Sequence, residues 1–431
     1  MKKKINVVTL GCSKNLVDSE LFLAQMKANG YEVTHDSDDS DARIVAINTC
    51  GFILDAKEES VNTILEYAEA KNQGLIDKIF VFGCLTERYK DELIAEIPEV
   101  DGFYGKFQVR KMVEDLKADY KLSLSRQRYL TTPFHYAYLK ISEGCNRTCS
   151  YCAIPRMTGA HVSVPMVDLI TEAKGLAEKG VKELLVIAQD LSFYGIDLYK
   201  KNKLAELISE LSDIEGVEWI KLHYAYPANF PYELLEVMKE KPNVARYLDI
   251  ALQHCSDSVL KLMRRNTTKA ETVDLIRRIR AEVPGIHLRT TMLVGHPGET
   301  DEDFDELKSF VRDMRFERLG VFPYSHEEDT YAGEKYEDSI PEEVKQARAD
   351  ELMAIQQQIS AEINTGKIGQ ALKVVIDRLE GDYYIGRTEF DSPEVDGEVL
   401  VSTNNHLKIG NYYQVKITGS EDFDLYGDIV L

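Results

Sequence analysis

Gly144-Cys145-Asn146-Arg147-Thr148-Cys149-Ser150-Tyr151-Cys152 follows directly on an apolar, strand-like run at 138–141. Three thiols in one short loop ask for a metal. Iron-sulfur clusters are usually held by four cysteines, so three with no fourth nearby leave one iron free to bind something else. A structural zinc loop is the competing reading, but it wants four ligands and no Cys or His stands at the right offset. Either way, the loop marks the run before it as the first strand of a series.

Downstream, strand-like runs recur at 183–187, 219–223, 247–252, 288–294 and 319–324, with helical periods at 167–178, 204–212, 232–239, 256–263 with 270–281, 301–314 and 341–362. Six strands, each followed by helical sequence, predict a partial (βα)6 barrel, short of the eight strands that close one. The open side would let a large substrate reach the strand ends. Upstream, 5–10, 44–47 and 79–82 read as strands and 15–28 and 55–70 as helices, the alternation of an open parallel α/β domain. The last segment changes character: 371–379, 383–390, 398–402, 412–419 and 425–431 are short strands punctuated by Gly, Asp, Asn and Pro, which predicts a small five-stranded OB-like β-barrel. The fold class is therefore α/β with a terminal β-barrel. The expected division is 1–116 for the first domain, 117–133 for a polar linker, 134–364 for the barrel and 365–431 for the terminal module.

At 431 residues the chain has room for about three domains. Its 44% hydrophobic and 29% charged residues exclude wholesale disorder. No stretch is apolar enough for a membrane span, and the MKKK start leads into no signal peptide, so a cytoplasmic location is expected. The net charge of −21 would repel a phosphate backbone, so nucleic acid is not the primary partner and a basic protein suits better. Residues 366–431 repeat the bias locally, with six basic against twelve acidic residues. The run Glu327-Glu328-Asp329 reads as a solvated face, and Tyr224, Tyr226 and Tyr324 stand at strand ends, where they would line a substrate mouth or pack in the core.

Seven cysteines in a chain of this kind point to metal or catalysis rather than a disulfide framework. Cys12, Cys50 and Cys84 each follow a strand of the first domain, in Leu10-Gly11-Cys12, Asn48-Thr49-Cys50 and Phe82-Gly83-Cys84. Ligands gather at the carboxyl ends of strands in open parallel sheets, so these three are expected to converge on a second cluster. Buried core cysteine is the competing reading. Cys255 is left over and is read as structural.

The cysteine loop, with aromatic Tyr151 before its last cysteine, resembles the radical S-adenosylmethionine (SAM) superfamily. Two cysteine sets and the three-domain order together resemble its methylthiotransferases over the whole chain. Gly11-Cys12-Ser13-Lys14-Asn15 with Asp18-Ser19-Glu20, Gln189-Asp190, Tyr226-Pro227, Gln253-His254 and Asp391-Ser392-Pro393-Glu394-Val395-Asp396 point to the branch acting on a ribosomal protein. The resemblance implies two 4Fe-4S clusters, on Cys12, Cys50 and Cys84 and on Cys145, Cys149 and Cys152. It also implies SAM contacts from Tyr151, Gln189, Gly295, Gly298 and Glu299, the last three in Gly295-His296-Pro297-Gly298-Glu299. One SAM would supply a methyl group to sulfur at the first cluster. Another would yield a 5′-deoxyadenosyl radical that takes hydrogen from the β-carbon of an aspartate in a basic small-subunit ribosomal protein. Polar acid-base catalysis would struggle at such an unactivated C–H bond, so no residue is assigned as acid or base. An electron donor and a sulfur source are implied as partners. Val164, Thr158 and His296 depart from residues frequent in relatives. Two other readings stay open: a tRNA adenosine methylthiotransferase, and a noncatalytic iron-sulfur or zinc protein that docks basic partners.

Overall fold

A computed structural model describes residues 3–38, 41–403 and 406–430. Five parallel strands open the chain: β1 (Lys4–Thr9), β2 (Glu32–His35), β3 (Ile44–Thr49), β4 (Lys78–Gly83) and β5 (Gly102–Gly105), in the order β2-β1-β3-β4-β5. Helices α1 (Ser13–Ala28), α2 (Leu54–Asn72) and α3 (Cys84–Glu96) follow β1, β3 and β4. Two apolar cores flank the sheet, one holding Phe22, Met26 and Phe82, the other Ile47, Ile64 and Val81. The expected parallel α/β domain is present. It also has two edge strands, β2 and β5, that the hydrophobic pattern did not reveal.

The second sheet has six parallel strands: β6 (Tyr136–Lys140), then, after a small pair formed by β7 (Ser142–Glu143) and β8 (Val162–Ser163), β9 (Glu183–Ile187), β10 (Trp219–Ala225), β11 (Val244–Ile250), β12 (His287–Val294) and β13 (Arg318–Pro323). The order β13-β12-β11-β10-β9-β6 does not close on itself, which is the partial barrel expected. All five residues of β9 are buried. Strands covered on both faces need continuous apolar runs, which is why these were readable. Helices start where sequence chemistry allows, as at Thr268 and Thr300, each of which caps its helix through its hydroxyl. Cys255 is fully buried in the barrel's main core.

The last five strands, β14 (Ala371–Glu380), β15 (Tyr383–Thr388), β16 (Val399–Ser402), β17 (Tyr412–Ser420) and β18 (Leu425–Ile429), form a closed barrel. Leu431, the expected end of the last strand, lies outside the described residues. This module docks on the amino-terminal mouth of the six-stranded barrel. Arg387 pairs with Glu183 at the start of β9, Arg318 at the start of β13 pairs with Asp391, and Phe390 stacks on His287 at the start of β12. Lys221 of β10 also meets Glu183 at 2.7 Å.

One expectation changes, and the connector shows how it is held. The stretch 117–133 is polar but not slack: Arg128 is buried and joins Glu20 of the first domain to Glu172 of the second, at 2.9 and 3.1 Å. Glu327 is not on a solvated face. Its side chain is 2% exposed and takes Lys57 at 2.7 Å and Arg88 at 3.3 Å, both from the first domain. Glu328 and Asp329 are exposed.

Candidate active site

Because β1, β3 and β4 are parallel neighbours, their carboxyl ends lie abreast, with Thr49 opposite Gly83 in register. Cys12, Cys50 and Cys84 leave those ends. Gly11, at φ +90°, lays its backbone on Cys50, since a Cβ there would stand 2.7 Å from the Cys50 Cβ and 2.9 Å from its sulfur. Asn15 ties the three loops together: its Nδ2 donates to the Leu10 and Thr49 carbonyls at 3.0 and 3.1 Å, and its Oδ1 lies 3.6 Å from the Cys84 Sγ. Ser60 Oγ accepts from the Cys50 N–H and donates to the Cys50 carbonyl. Cys50 and Cys84 are buried and Cys12 is exposed, so the set is open on one side. Burial pushes the Cys50 thiol up and the Cys84 thiol up to about 12; Lys106 works against this, while Cys12 and Cys50 reinforce it at Cys84. Such thiols stay protonated until a metal takes the proton's place.

The second set sits beyond β6. The β7–β8 pair closes the base of its loop, and Gly144, at φ +83°, passes the Ala160 carbonyl where a Cβ would stand 2.2 Å away. Backbone bonds run from Cys145 N to Gly159 O, Cys152 N to Cys149 O, and Ser150 N to Met263 O. Arg265, which the sequence did not single out, lies 3.8 Å from the Cys149 Sγ through one nitrogen and donates from it to the Tyr151 hydroxyl at 3.0 Å. Tyr226 brings its hydroxyl to 3.9 Å from the same sulfur and is flanked by the Arg147 and Arg265 guanidinium groups. Burial raises Cys145 to about 11 and raises Cys152 further. Among the described residues, no three His, Cys, Asp or Glu side chains are gathered as a single metal ion would gather them. A cluster of several irons spreads its thiolates more widely.

The two sets are joined by one contact. Cys84 shares one apolar cluster with Ala153, Ile154 and Met157, the residues that follow Cys152 and form helix Ile154–Thr158.

Of the expected SAM contacts, Tyr151 lies within the cysteine loop, half-buried, with its hydroxyl on Arg265 and with Cys149, Cys152 and Tyr226 around it. Gln189, beyond β9, donates to Glu143, and among the described residues its buried Oε1 has no hydrogen-bond partner. The loop at 295–299 touches the cysteine loop through His296, whose Nε2 is 3.0 Å from the Ser150 Oγ. Glu299 turns inward: its two carboxylate oxygens take the Gly295 N–H and the Arg348 guanidinium, each at 2.8 Å. Gly295 and Gly298, at φ +74° and +88°, pack against Lys345 and Leu262. The residues that depart from relatives are all built in: Val164 lies in the core, Thr158 bonds the Ile154 carbonyl, and His296 is fully buried beside Tyr324 and Tyr336. Tyr324 is buried, Tyr226 borders the cysteine loop, and Tyr224 faces the first domain under Lys14.

Three family models match in tandem: "Uncharacterized protein family UPF0004" at 4–105, "Radical SAM superfamily" at 139–311 and "TRAM domain" at 368–430. The ribosomal protein uS12 methylthiotransferase RimO of Bacteroides thetaiotaomicron is 61% identical over 430 residues, covering 100% of this chain and 99% of its own. That of Porphyromonas gingivalis is 59% identical over 431 residues, and that of Cytophaga hutchinsonii 56% over 430, each covering 100% of this chain. The chain belongs to the RimO family of methylthiotransferases. As a RimO-family chain it is a radical SAM transferase. Among solved structures, the radical SAM methyltransferase TsrM of Kitasatospora setae shares the fold, with a TM-score of 0.56 and 14% identity over 77% of each chain. What sequence reasoning missed in this RimO-family site is Arg265. It is one of two adjacent arginines after Met263, and nothing in that pair signals that the second one turns to Cys149.

Proposed function

We propose that this chain adds a methylthio group to the β-carbon of an aspartate of ribosomal protein uS12, with Cys12, Cys50 and Cys84 holding one 4Fe-4S cluster and Cys145, Cys149 and Cys152 the other. When bound, the clusters and SAM supply the electron, the hydrogen-abstracting radical and the methylated sulfur. The observation that supports this reading is the packing of Cys84 against Ala153 and Met157, which makes the end of one cysteine set a neighbour of the other. Three cysteines per set fit a cluster that keeps one iron for an outside ligand.

The chain's own residues position the rest. Arg265 places its cation beside the Cys149 sulfur and fixes the Tyr151 ring through the phenol. Tyr151, Gln189 and the 295–299 loop line the second set and would contact SAM; the unpartnered Gln189 Oε1 is free to accept a hydrogen bond. The division 1–116, 117–133, 134–364 and 365–431 assigns one task to each part: the first cluster, a docked connector, the radical core and the terminal barrel. No described helix is long and apolar enough to cross a membrane, in keeping with work beside the ribosome in the cytoplasm. An electron donor and a sulfur source complete the partners.

Intact-mass measurement of purified uS12 after anaerobic incubation with the reconstituted protein, SAM, reductant and sulfide tests the reading. The expected result is a gain of one methylthio group, mapped to an aspartate. No gain, with clusters present and SAM consumed, overturns it in favour of a tRNA nucleoside.

A further inference from the structure

The terminal barrel sits on the amino-terminal mouth of the core, whereas both cysteine sets sit at carboxyl ends of strands. The group that fixes the target side chain must therefore come from elsewhere. At the carboxyl mouth lies Lys14, two residues after Cys12. It is 8% exposed, and its ammonium rests 3.1 Å from the centroid of the Tyr224 ring. Among the described residues no carboxylate or carbonyl bonds to that ammonium, while the nearby buried lysines are matched: Lys106 has Asp18 at 2.9 Å and Lys140 has Glu143 at 2.7 Å. Asp249 is within electrostatic reach of Lys14, but it is already engaged by the Tyr224 N–H at 3.3 Å and Arg289 at 3.5 Å.

The ammonium has a ring beside it, and a cation–π contact leaves its N–H donors open to an anionic partner. Tyr224 itself is held at φ +70°, a backbone state rare for a bulky residue and one that gathers at functional sites. The position is also right. Tyr224 is the penultimate residue of β10, and Tyr226, two residues on, lies 3.9 Å from the Cys149 sulfur. Lys14 thus stands between the first cysteine set, to which it is joined by chain, and the second, to which it is joined by β10. A side chain whose carbon reacts between the two sets and whose carboxylate lies one bond further on meets this ammonium.

We propose that Lys14 receives the carboxylate of the target aspartate and sets the enzyme's preference for an acidic side chain; this rests on the reading of the chain as an aspartate methylthiotransferase. The test is a binding cycle with the reconstituted, SAM-loaded enzyme. Wild type, Lys14→Met and Lys14→Arg are each titrated with uS12 and with uS12 in which the target aspartate is asparagine. Wild type is expected to favour the aspartate protein by about tenfold, the worth of one charge-assisted bond. Lys14→Met loses that preference while keeping its iron content, and Lys14→Arg retains most of it. Equal weakening of both proteins, with a fall in melting temperature, would mean that Lys14 only joins the domains and overturns the proposal, as does an undiminished preference in Lys14→Met. Failure of wild type to bind or modify uS12 is a separate outcome that removes the substrate reading and this inference with it.

Discussion

Cys84, the last of the first-domain cysteines, packs against Ala153, the residue immediately after Cys152. Two loops from different sheets, each carrying thiols, therefore meet in one apolar contact, and a group made at one set has a short path to the other. On the proposed function the sets differ in task, and substitution should separate them. Cys145→Ala is expected to lose SAM cleavage and about half the iron. Cys12→Ala is expected to lose a similar share of iron and all methylthiolation while still cleaving SAM. Iron analysis, 5′-deoxyadenosine release and product mass on the two variants check this, and methylthiolation by Cys12→Ala would remove the first set from the reaction.

The contact between the sets depends on how the domains are held. Glu327 places a buried carboxylate between Lys57 and Arg88, whose side chains are 16% and 2% exposed. Breaking a buried pair from one side leaves its partner charge without compensation and typically costs about 3–5 kcal/mol. Glu327→Gln should therefore raise backbone hydrogen exchange in the segments that carry Lys57 and Arg88, and lower the melting temperature. Unchanged exchange there would show that the domains are held without this carboxylate.

Much of this arrangement was legible in one dimension. The core strands announced themselves because strands buried on both faces carry apolar runs, as in Leu184–Ile187 of β9. The cysteines of the first domain could be placed together because neighbouring parallel strands end side by side. Glu32–His35 and Gly102–Gly105 escaped notice: each has only four residues, and each lies at a sheet edge where half-polar or glycine-containing sequence suffices. Glu327 was misread for a different reason. Its burial is created by partners 270 and 239 residues away, and local charge density carries no trace of them. Arg265 and Lys14 belong to the same class: their positions follow from which segments meet, not from their neighbours in sequence.

Cys255 offers a control for the six cysteines proposed as ligands. It is fully buried in the core with Leu252, Leu275 and Ile276, and burial raises its thiol well above the usual range. Cys255→Ala should keep full iron content and activity and cost roughly 1–2 kcal/mol of stability through a small cavity. Loss of iron in this variant would place it among the ligands.

The junction between the barrel core and the terminal module should respond to acid in a defined window. Glu183 is wholly buried, with Arg387 at 2.7 Å and Lys221 at 2.7 Å. Burial alone would raise its pKa, but the two cations outweigh burial and hold the carboxyl down from 4.5 to about 2. A carboxyl that is more acidic folded than unfolded stabilises the fold above its unfolded pKa. That contribution, about 3 kcal/mol here, fades as pH falls below about 4.5 and is gone near the folded value. Glu183→Gln, which cannot ionise, should be less stable than wild type by about that amount at neutral pH. The gap between their urea midpoints should hold from about pH 7 to 5 and then close as pH drops toward 2. A gap that stays constant through this range would mean that Glu183 acts by shape and hydrogen bonding rather than by charge, leaving Asp377 to neutralise Arg387 and the Thr388 and Asp391 carbonyls to hold Lys221.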